Sequence, residues 1–222
     1  SAHLTFTPAS ASNQKTFTIS VWIKVTADTD NRAIVSGGTW STEPYSTLMF
    51  RDDDRISGDF RISGTSYNYV PAPQAEGSWI HVVMAVDTTQ GTQDNRFKLY
   101  VNGTQLTSWV YVAKLAINLD TGFNASHEHQ IGEQAGLGRY FNGLMAEFNF
   151  IDGTQLAPAS FAEDDGGTWT AIEYTGSYGT NGYRLTFSDS SDIGNDSSGN
   201  GNDWSPVNLA SGDVKTDVPP SK

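Results

Sequence analysis

One feature limits the fold of this chain more than any other: apolar residues recur at every second position along almost its whole length. In "TFTISVWIKVT", Phe17, Ile19, Val21, Ile23 and Val25 share one face, and Thr18, Ser20, Trp22 and Lys24 the other. In "SWIHVVMAVD", Ile80, Val82, Met84 and Val86 alternate with Trp79, His81, Val83 and Ala85, so both faces are apolar and the strand is expected to be central. In "RFKLYVNG", Phe97, Leu99 and Val101 point one way, and Asn102-Gly103 supplies a turn of residues that tolerate positive φ. "STLMFRDDDRISGDFRISG" reads as a strand, an acidic turn at Asp52–Asp54 and a return strand. "HEHQIGE" and "YFNGLMAEFNFIDG" read as two more, separated by "QAGLG". Only "APASFAEDD" suggests a helical turn. About twelve short strands separated by turn signals predict two packed antiparallel sheets.

Composition agrees. The 22 Gly and 8 Pro in 222 residues suit many turns, and no linker-like stretch appears before residue 187, so residues 1–222 are expected to form one domain. The absence of Cys excludes disulfides, thiolate metal sites and cysteine nucleophiles. A net charge of −12 repels nucleic acid and anionic membranes, so neither is an expected partner. The longest apolar run lies far short of the roughly 20 residues a membrane helix needs. The opening "SAHLTFTP", without Met or a leader, suggests a piece of something longer.

Four groups of residues are candidate sites. Trp40, Tyr45, Tyr67, Tyr69, Trp109 and Tyr111 fall in apparent loops, where aromatic rings stack against the C–H faces of sugars; the competing reading is core packing. Asp189, Asp192, Asp196, Asn200 and Asp203 offer hard oxygens among glycines, as a calcium loop does, but without EF-hand spacing. The alternative there is an Asx-rich turn satisfied by its own hydrogen bonds. His127 and His129, two apart on a strand, have zinc-compatible spacing but no identifiable third ligand. Glu147 is the nearest carboxylate on a core strand, followed by Asn149 and Asp152, and it has no partner glutamate on that strand to form the carboxylate pair that glycoside hydrolysis needs.

The segments "FTISVWIKV", "GSWIHVVMAVDTTQGTQDNRFKLYVNGTQL" and "IGEQAGLGRYFNGLMAEFNFIDGTQLAPASF" together resemble the laminin-G-like branch of the concanavalin A-like lectin/glucanase superfamily. "AVDTTQ", "FIDGTQLAPASF" and "YTGSYGTNGYRLTF" resemble modules of bacteriophage tail fibres and other virion proteins. The resemblance implies an all-β two-sheet antiparallel jelly-roll sandwich. In many such modules a strand followed by an Asp-Ser-Ser-Gly-Asn-Gly-Asn-Asp turn opens the domain. Here the similar piece, Tyr183–Trp204, closes it. That implies a circularly permuted module in which residues 183–222 supply a closing strand, a turn and a tail, with the strand Tyr183–Phe187 beside Leu4–Phe6. The function implied is non-catalytic binding of host-surface glycan, neutral or cation-bridged given the acidic surface, on a virion or other extracellular appendage among other virion proteins, commonly as a homotrimer. A purely structural virion module is the alternative. A glycan hydrolase or lyase is a distant third.

Overall fold

The computed structural model describes residues 2–26, 30–72 and 77–222. Among the described residues the strands run, in chain order, β1 His3–Phe6, β2 Thr16–Val25, β3 Arg32–Gly37, β4 Tyr45–Phe50, β5 Ile56–Ile62 and β6 Thr65–Pro71. There follow β7 Trp79–Asp87, β8 Phe97–Val101, β9 Thr104–Leu106, β10 Trp109–Ala113, β11 His129–Ile131 and β12 Glu133–Gln134. The last are β13 Arg139–Tyr140, β14 Gly143–Asp152, β15 Ala162–Asp165, β16 Thr168–Ala171, β17 Tyr183–Leu185 and β18 Ser205–Val207. Two antiparallel sheets carry the fold. One has eight strands in the order β10-β6-β5-β4-β3-β11-β1-β18, and the other six in the order β17-β14-β2-β7-β8-β9.

The alternation read from sequence sets the core between them. Phe17, Ile19, Val21, Ile23 and Val25 of β2, and Ile80, Val82, Met84 and Val86 of β7, all pack inward in one cluster. From the eight-stranded sheet, Leu48, Phe50, Ile56, Phe60 and Tyr69 meet them. Gly58 belongs to this contact: an added Cβ would sit 2.6 Å from the Phe97 ring, which stacks on Tyr69 at 3.8 Å. The outward face of the six-stranded sheet is covered as well. Trp22 and Ala146 pack under Ala162 and Ala171 of the β15–β16 hairpin, and Val83 and Ile151 under Phe161 and Tyr178. The expected helical turn at "APASFAEDD" is only a 3-10 turn at Pro158–Ser160; the chain then extends into β15 to make this cover.

β14 contains a bulge. Its register against β2 shifts between Ala146 and Asn149, and Glu147 there has φ 48°. The Glu147 carboxylate holds Arg184 at 3.0 Å, so this residue is an ion-pair partner and a register device.

The closing segment joins the sandwich, but not with the expected neighbour. Tyr183–Leu185 pairs with Phe148–Phe150 of β14 in the six-stranded sheet, and the strand beside β1 is Ser205–Val207. Tyr183 instead faces Phe6 across the interior at 6.2 Å, with Trp204 beside both rings at 5.0 and 5.4 Å. The reason is spacing. The polar turn between the two strands carries the chain from one sheet edge to the other. Asp196, itself buried, ties that turn. Its carboxylate accepts from Arg184 N (2.9 Å), Ser198 N (2.8 Å), Ser198 Oγ (2.9 Å) and Asn202 N (2.9 Å), while its own N–H donates to Asp203 at 2.7 Å.

Two predictions follow from this packing. Asp196→Ala leaves several buried donors unmatched and is expected to cost about 3 kcal/mol, read as a lower urea midpoint. The second concerns pH. His81 donates from Nε2 to Ser20 Oγ (2.8 Å) and accepts at Nδ1 from Trp169 Nε1 (3.1 Å). His129 is equally enclosed, and burial pushes both down to about 3. Because the unfolded chain protonates these rings near pH 6.5, their contribution is complete above that pH and is lost as pH falls toward 3, at about 1.4 kcal/mol per pH unit for each ring. Unfolding free energy should therefore fall steadily between pH 6.5 and 4; a flat profile over that range contradicts the neutral buried rings.

Candidate functional site

With the outer face of the six-stranded sheet covered, attention moves to the outer face of the other. Residues directly opposite on antiparallel strands point to the same side, so the registers define rows across a sheet. One row crosses all eight strands: Ala113, Asn68, Asp59, Thr47, Ser36, Gln130, Thr5 and Ser205. The row next to it is core: Tyr69, Leu48, Val35, Ile131 and Leu4. The polar row therefore faces outward, and apart from Ala113 every member carries a hydrogen-bonding side chain.

Asp59 is its centre. The carboxylate accepts from Asn68 Nδ2 (2.6 Å) and Ser57 Oγ (2.8 Å), with Arg51 at 3.6 Å. Burial raises its pKa above the usual carboxylate range, against the lowering effect of Asn68 and Ser57. Two residues further along the strands lie Ser66, Arg61 and Tyr45. Tyr45 is fully buried, and its hydroxyl accepts from Gln134 of the β12–β13 hairpin, whose Oε1 in turn accepts from Arg139 (3.0 Å). Burial raises the Tyr45 pKa.

Trp40 stands at this end of the face, 41% exposed. Its ring meets Tyr45 edge-on at 5.7 Å, and the Arg61 guanidinium lies over it at 5.3 Å. Glu43 fixes Arg61 at 2.7 Å and accepts from Gly64 N at 2.7 Å; these contacts, the Gly64 hydrogen bond first, lower its pKa. An exposed indole, a paired arginine and a floor of Asn, Asp, Thr, Ser and Gln thus lie together. Gln130 Oε1 and Arg51 Nε, both buried, have no protein partner. Such a surface offers a stacking ring beside donors and acceptors for hydroxyl groups.

The sequence-level candidates separate accordingly. Trp40 and Tyr45 come together, but Tyr45 lies under the surface and supports Trp40 from below. Tyr111 is 58% exposed on the edge strand β10, opposite Val70. Tyr69 is buried against Phe97 and its hydroxyl accepts from Leu115 N (2.8 Å), and Tyr67 packs on the core. Trp109 packs edge-on against Tyr69 at 5.4 Å and Phe97 at 6.0 Å. Tyr45, Tyr67, Tyr69, Trp109 and Tyr111 lie on strands, where the expectation was loops.

The candidate calcium residues engage in hydrogen bonds within the protein. Asp189 accepts from Ser191 N and Oγ, Asp196 and Asp203 from the turn backbone, and Asn200 donates to Gly179 O and Gly182 O. Asp196 and Asp203 are joined in one turn, and Asn200 ties that turn to the segment 179–182. Among the described residues no three His, Cys, Asp or Glu side chains form a metal-holding group. His127 gives its Nε2 to Gly122 O (2.8 Å) and His129 uses Nδ1 on His127 O (2.9 Å), so both rings are structural. Asp59, Asn68, Gln130 and Arg61 were not singled out from sequence. Their signal was Asp59 and Arg61 two apart on "ISGDFRIS", polar positions on the outward phase of an amphipathic strand.

Residues 1–159 match the profile of the concanavalin A-like lectin/glucanases superfamily. Several solved structures are similar. A leech intramolecular trans-sialidase is 12% identical over 72% of this chain and 27% of its own, with a TM-score of 0.50. A SAP-like pentraxin from Limulus polyphemus is 17% identical over 70% of this chain and 71% of its own, at 0.48. The CBM40 of the Ruminococcus gnavus IT-sialidase is 15% identical over 66% and 80%, at 0.48. At these identities the likeness is one of fold. No curated protein matches the chain.

The division between exposed and packed aromatics is testable by stability alone. Trp109→Ala is expected to cost about 3 kcal/mol, and Trp40→Ala less than about 1 kcal/mol, in chemical unfolding. Equal costs would contradict this placement of the two rings.

Proposed function

The chain belongs to the concanavalin A-like lectin/glucanases superfamily, and on that premise we propose that it is a non-catalytic carbohydrate-binding module whose site is the outer face of the eight-stranded sheet. The observation that carries this reading is the polar row crossing all eight strands beside the exposed Trp40. A sugar ring stacks on the indole, and its hydroxyls exchange hydrogen bonds with the half-buried Asn68 and Arg61, over the buried floor of Asp59, Thr47 and Gln130.

The same row argues for binding without hydrolysis. A retaining mechanism needs two carboxylates about 5–5.5 Å apart. The residues beside Asp59 in its row are Asn68 and Thr47, and those two along its strand are Ser57 and Arg61. None is a carboxyl group. Asp59 is also held by three partners, which suits an acceptor of fixed orientation.

One shallow aromatic site supplies only a few kcal/mol, and about −4.1 kcal/mol corresponds to a millimolar Kd. Several linked copies raise avidity by roughly 10²–10⁴. The setting we propose is therefore a multivalent one, a bacteriophage tail fibre or similar virion appendage facing host glycan, in keeping with the segments that resemble such modules. The local arginines Arg51, Arg61 and Arg139 relax the sequence-based expectation that the −12 surface restricts the ligand to neutral or cation-bridged glycans.

The test is a trimeric display of the module on a glycan array and on candidate host cells, with and without calcium. We expect saturable binding to a defined glycan set, reduced at least tenfold by Trp40→Ala and by Asn68→Ala, with unfolding midpoints near wild type for Trp40→Ala. Absence of binding on every surface, or full binding by both variants, would replace this reading with that of a purely structural virion module.

A further inference from the structure

A second site lies between the two sheets, where β1 and β14 part. A cavity of about 490 Å³ opens there, lined by Leu4, Ile131, Met145, Phe187, Leu209 and Val214 among others. Its size lies within the range of ligand-binding clefts. It exists because a strand position is half empty. β14 is paired with β2 along both of its halves, but on its other side β17 reaches only Phe148–Phe150. Among the described residues no strand pairs with Gly143–Ala146 on that side. The Glu147 bulge separates the two halves.

The direction of the unused backbone groups follows from the ladder. Thr26 N donates to Asn142 O at 3.2 Å, and Val25 O turns the other way to accept from Gly77 N at 3.1 Å. Hydrogen-bonded pairs alternate in an antiparallel ladder. Leu144 and Ala146 therefore bond to β2, while Gly143 and Met145 present N–H and C=O to the empty side. Over the cavity runs the tail Asp213–Val218, which is fastened at Asp217 to Lys24 Nζ (2.6 Å) and Trp79 Nε1 (2.9 Å) and does not pair with β14.

We infer that this cleft is a docking site for an extended peptide strand, which adds to the Gly143–Ala146 edge in line with β17 and places alternate apolar side chains in the cavity. The occupant is a strand for two independent reasons. The lane is continuous with one the chain already fills with its own β17, and its backbone donors and acceptors are those a strand satisfies. The apolar part of the wall, Leu4, Ile131, Met145, Phe187, Leu209 and Val214, fixes the alternate residues as Val- or Leu-like. Charge fixes the flanks. The mouth carries Asp213, Lys215 and Asp217, the last paired with Lys24, so its own charges nearly balance, and it is the −12 of the chain as a whole that favours basic ends over acidic ones. The site is distinct from the glycan-binding face: its wall takes Leu4 and Ile131 from the inward side of the eight-stranded sheet, whereas Thr5 and Gln130 face outward.

The probe is the synthetic peptide acetyl-Lys-Val-Thr-Val-Thr-Val-Lys-amide, titrated into the ¹⁵N-labelled full chain. We expect saturable shifts confined to residues 143–146, 186–188 and 213–218, with slower hydrogen exchange at the Met145 amide. The same peptide N-methylated on its bonding edge should bind at least tenfold more weakly, as should a version with Glu at both ends. Val214→Trp, which fills the cavity from the tail, should abolish the shifts. If that variant fails to fold, the N-methylated peptide carries the test by itself. No saturation at millimolar peptide, indifference to N-methylation, or shifts centred on β10 would each overturn the inference.

Discussion

The ladder between β2 and β14 holds the rest of the structure in place. It joins residues 17–25 to residues 143–152, so more than half the chain is looped out between two directly hydrogen-bonded strands. β7 closes on the other side of β2 with nine further residue pairs. Both faces of this central trio are buried, inward against the main core and outward under Phe161, Tyr178 and the β15–β16 hairpin. Pairing at such sequence separation costs loop entropy before any contact rewards it, and sandwiches of this kind fold slowly for that reason. It also explains why the segment after β14 is polar in sequence but structurally committed. Residues 153–182 are the outer layer of the six-stranded sheet.

Covering one sheet leaves the other to deal with water and ligands. A buried carboxylate such as Asp59 is costly unless it is matched, and Asn68, Ser57 and Arg51 match it. Thr47 is likewise satisfied by Val35 O (3.0 Å) and Ser36 by Glu133 O (2.9 Å). The outward face is thus rigid before any ligand arrives, and Trp40 is held by Tyr45 and Arg61 in the same way. Preorganisation of this kind lowers the ordering cost of binding, which matters most when the gross interaction is small.

Much of this was readable in the sequence, and the unread part has a physical pattern. Alternation identified the inward residues of β2, β7 and β8 because β2 and β7 are long and one face of each of the three is uniformly apolar. The same period cannot say whether an aromatic lies on a strand or in a loop when strands are short and irregular. Trp109 and Tyr111 lie on one five-residue strand with a register shift between them, and one is packed while the other is exposed. Tyr45 was legible as aromatic but not as buried, since its cover, Gln134, comes from a hairpin about ninety residues later. The Asp-rich turn showed its hydrogen-bonding capacity in sequence; that this capacity is spent on Arg184 N, Ser198 N and Asn202 N depends on where β17 docks.

The bulge at Glu147 acts as a phase change. Before it, Met145 faces the core and Ala146 the outer layer; after it, Phe148 and Phe150 face the core and Asn149 turns outward to the Tyr178 hydroxyl. An unbulged strand of the same composition would turn both phenylalanines out and Asn149 in. Deleting Glu147 would therefore return β14 to plain alternation with Met145, Phe148 and Phe150 still facing the core and would lose the Arg184 ion pair, whereas a deletion elsewhere in the strand would turn one half of it over.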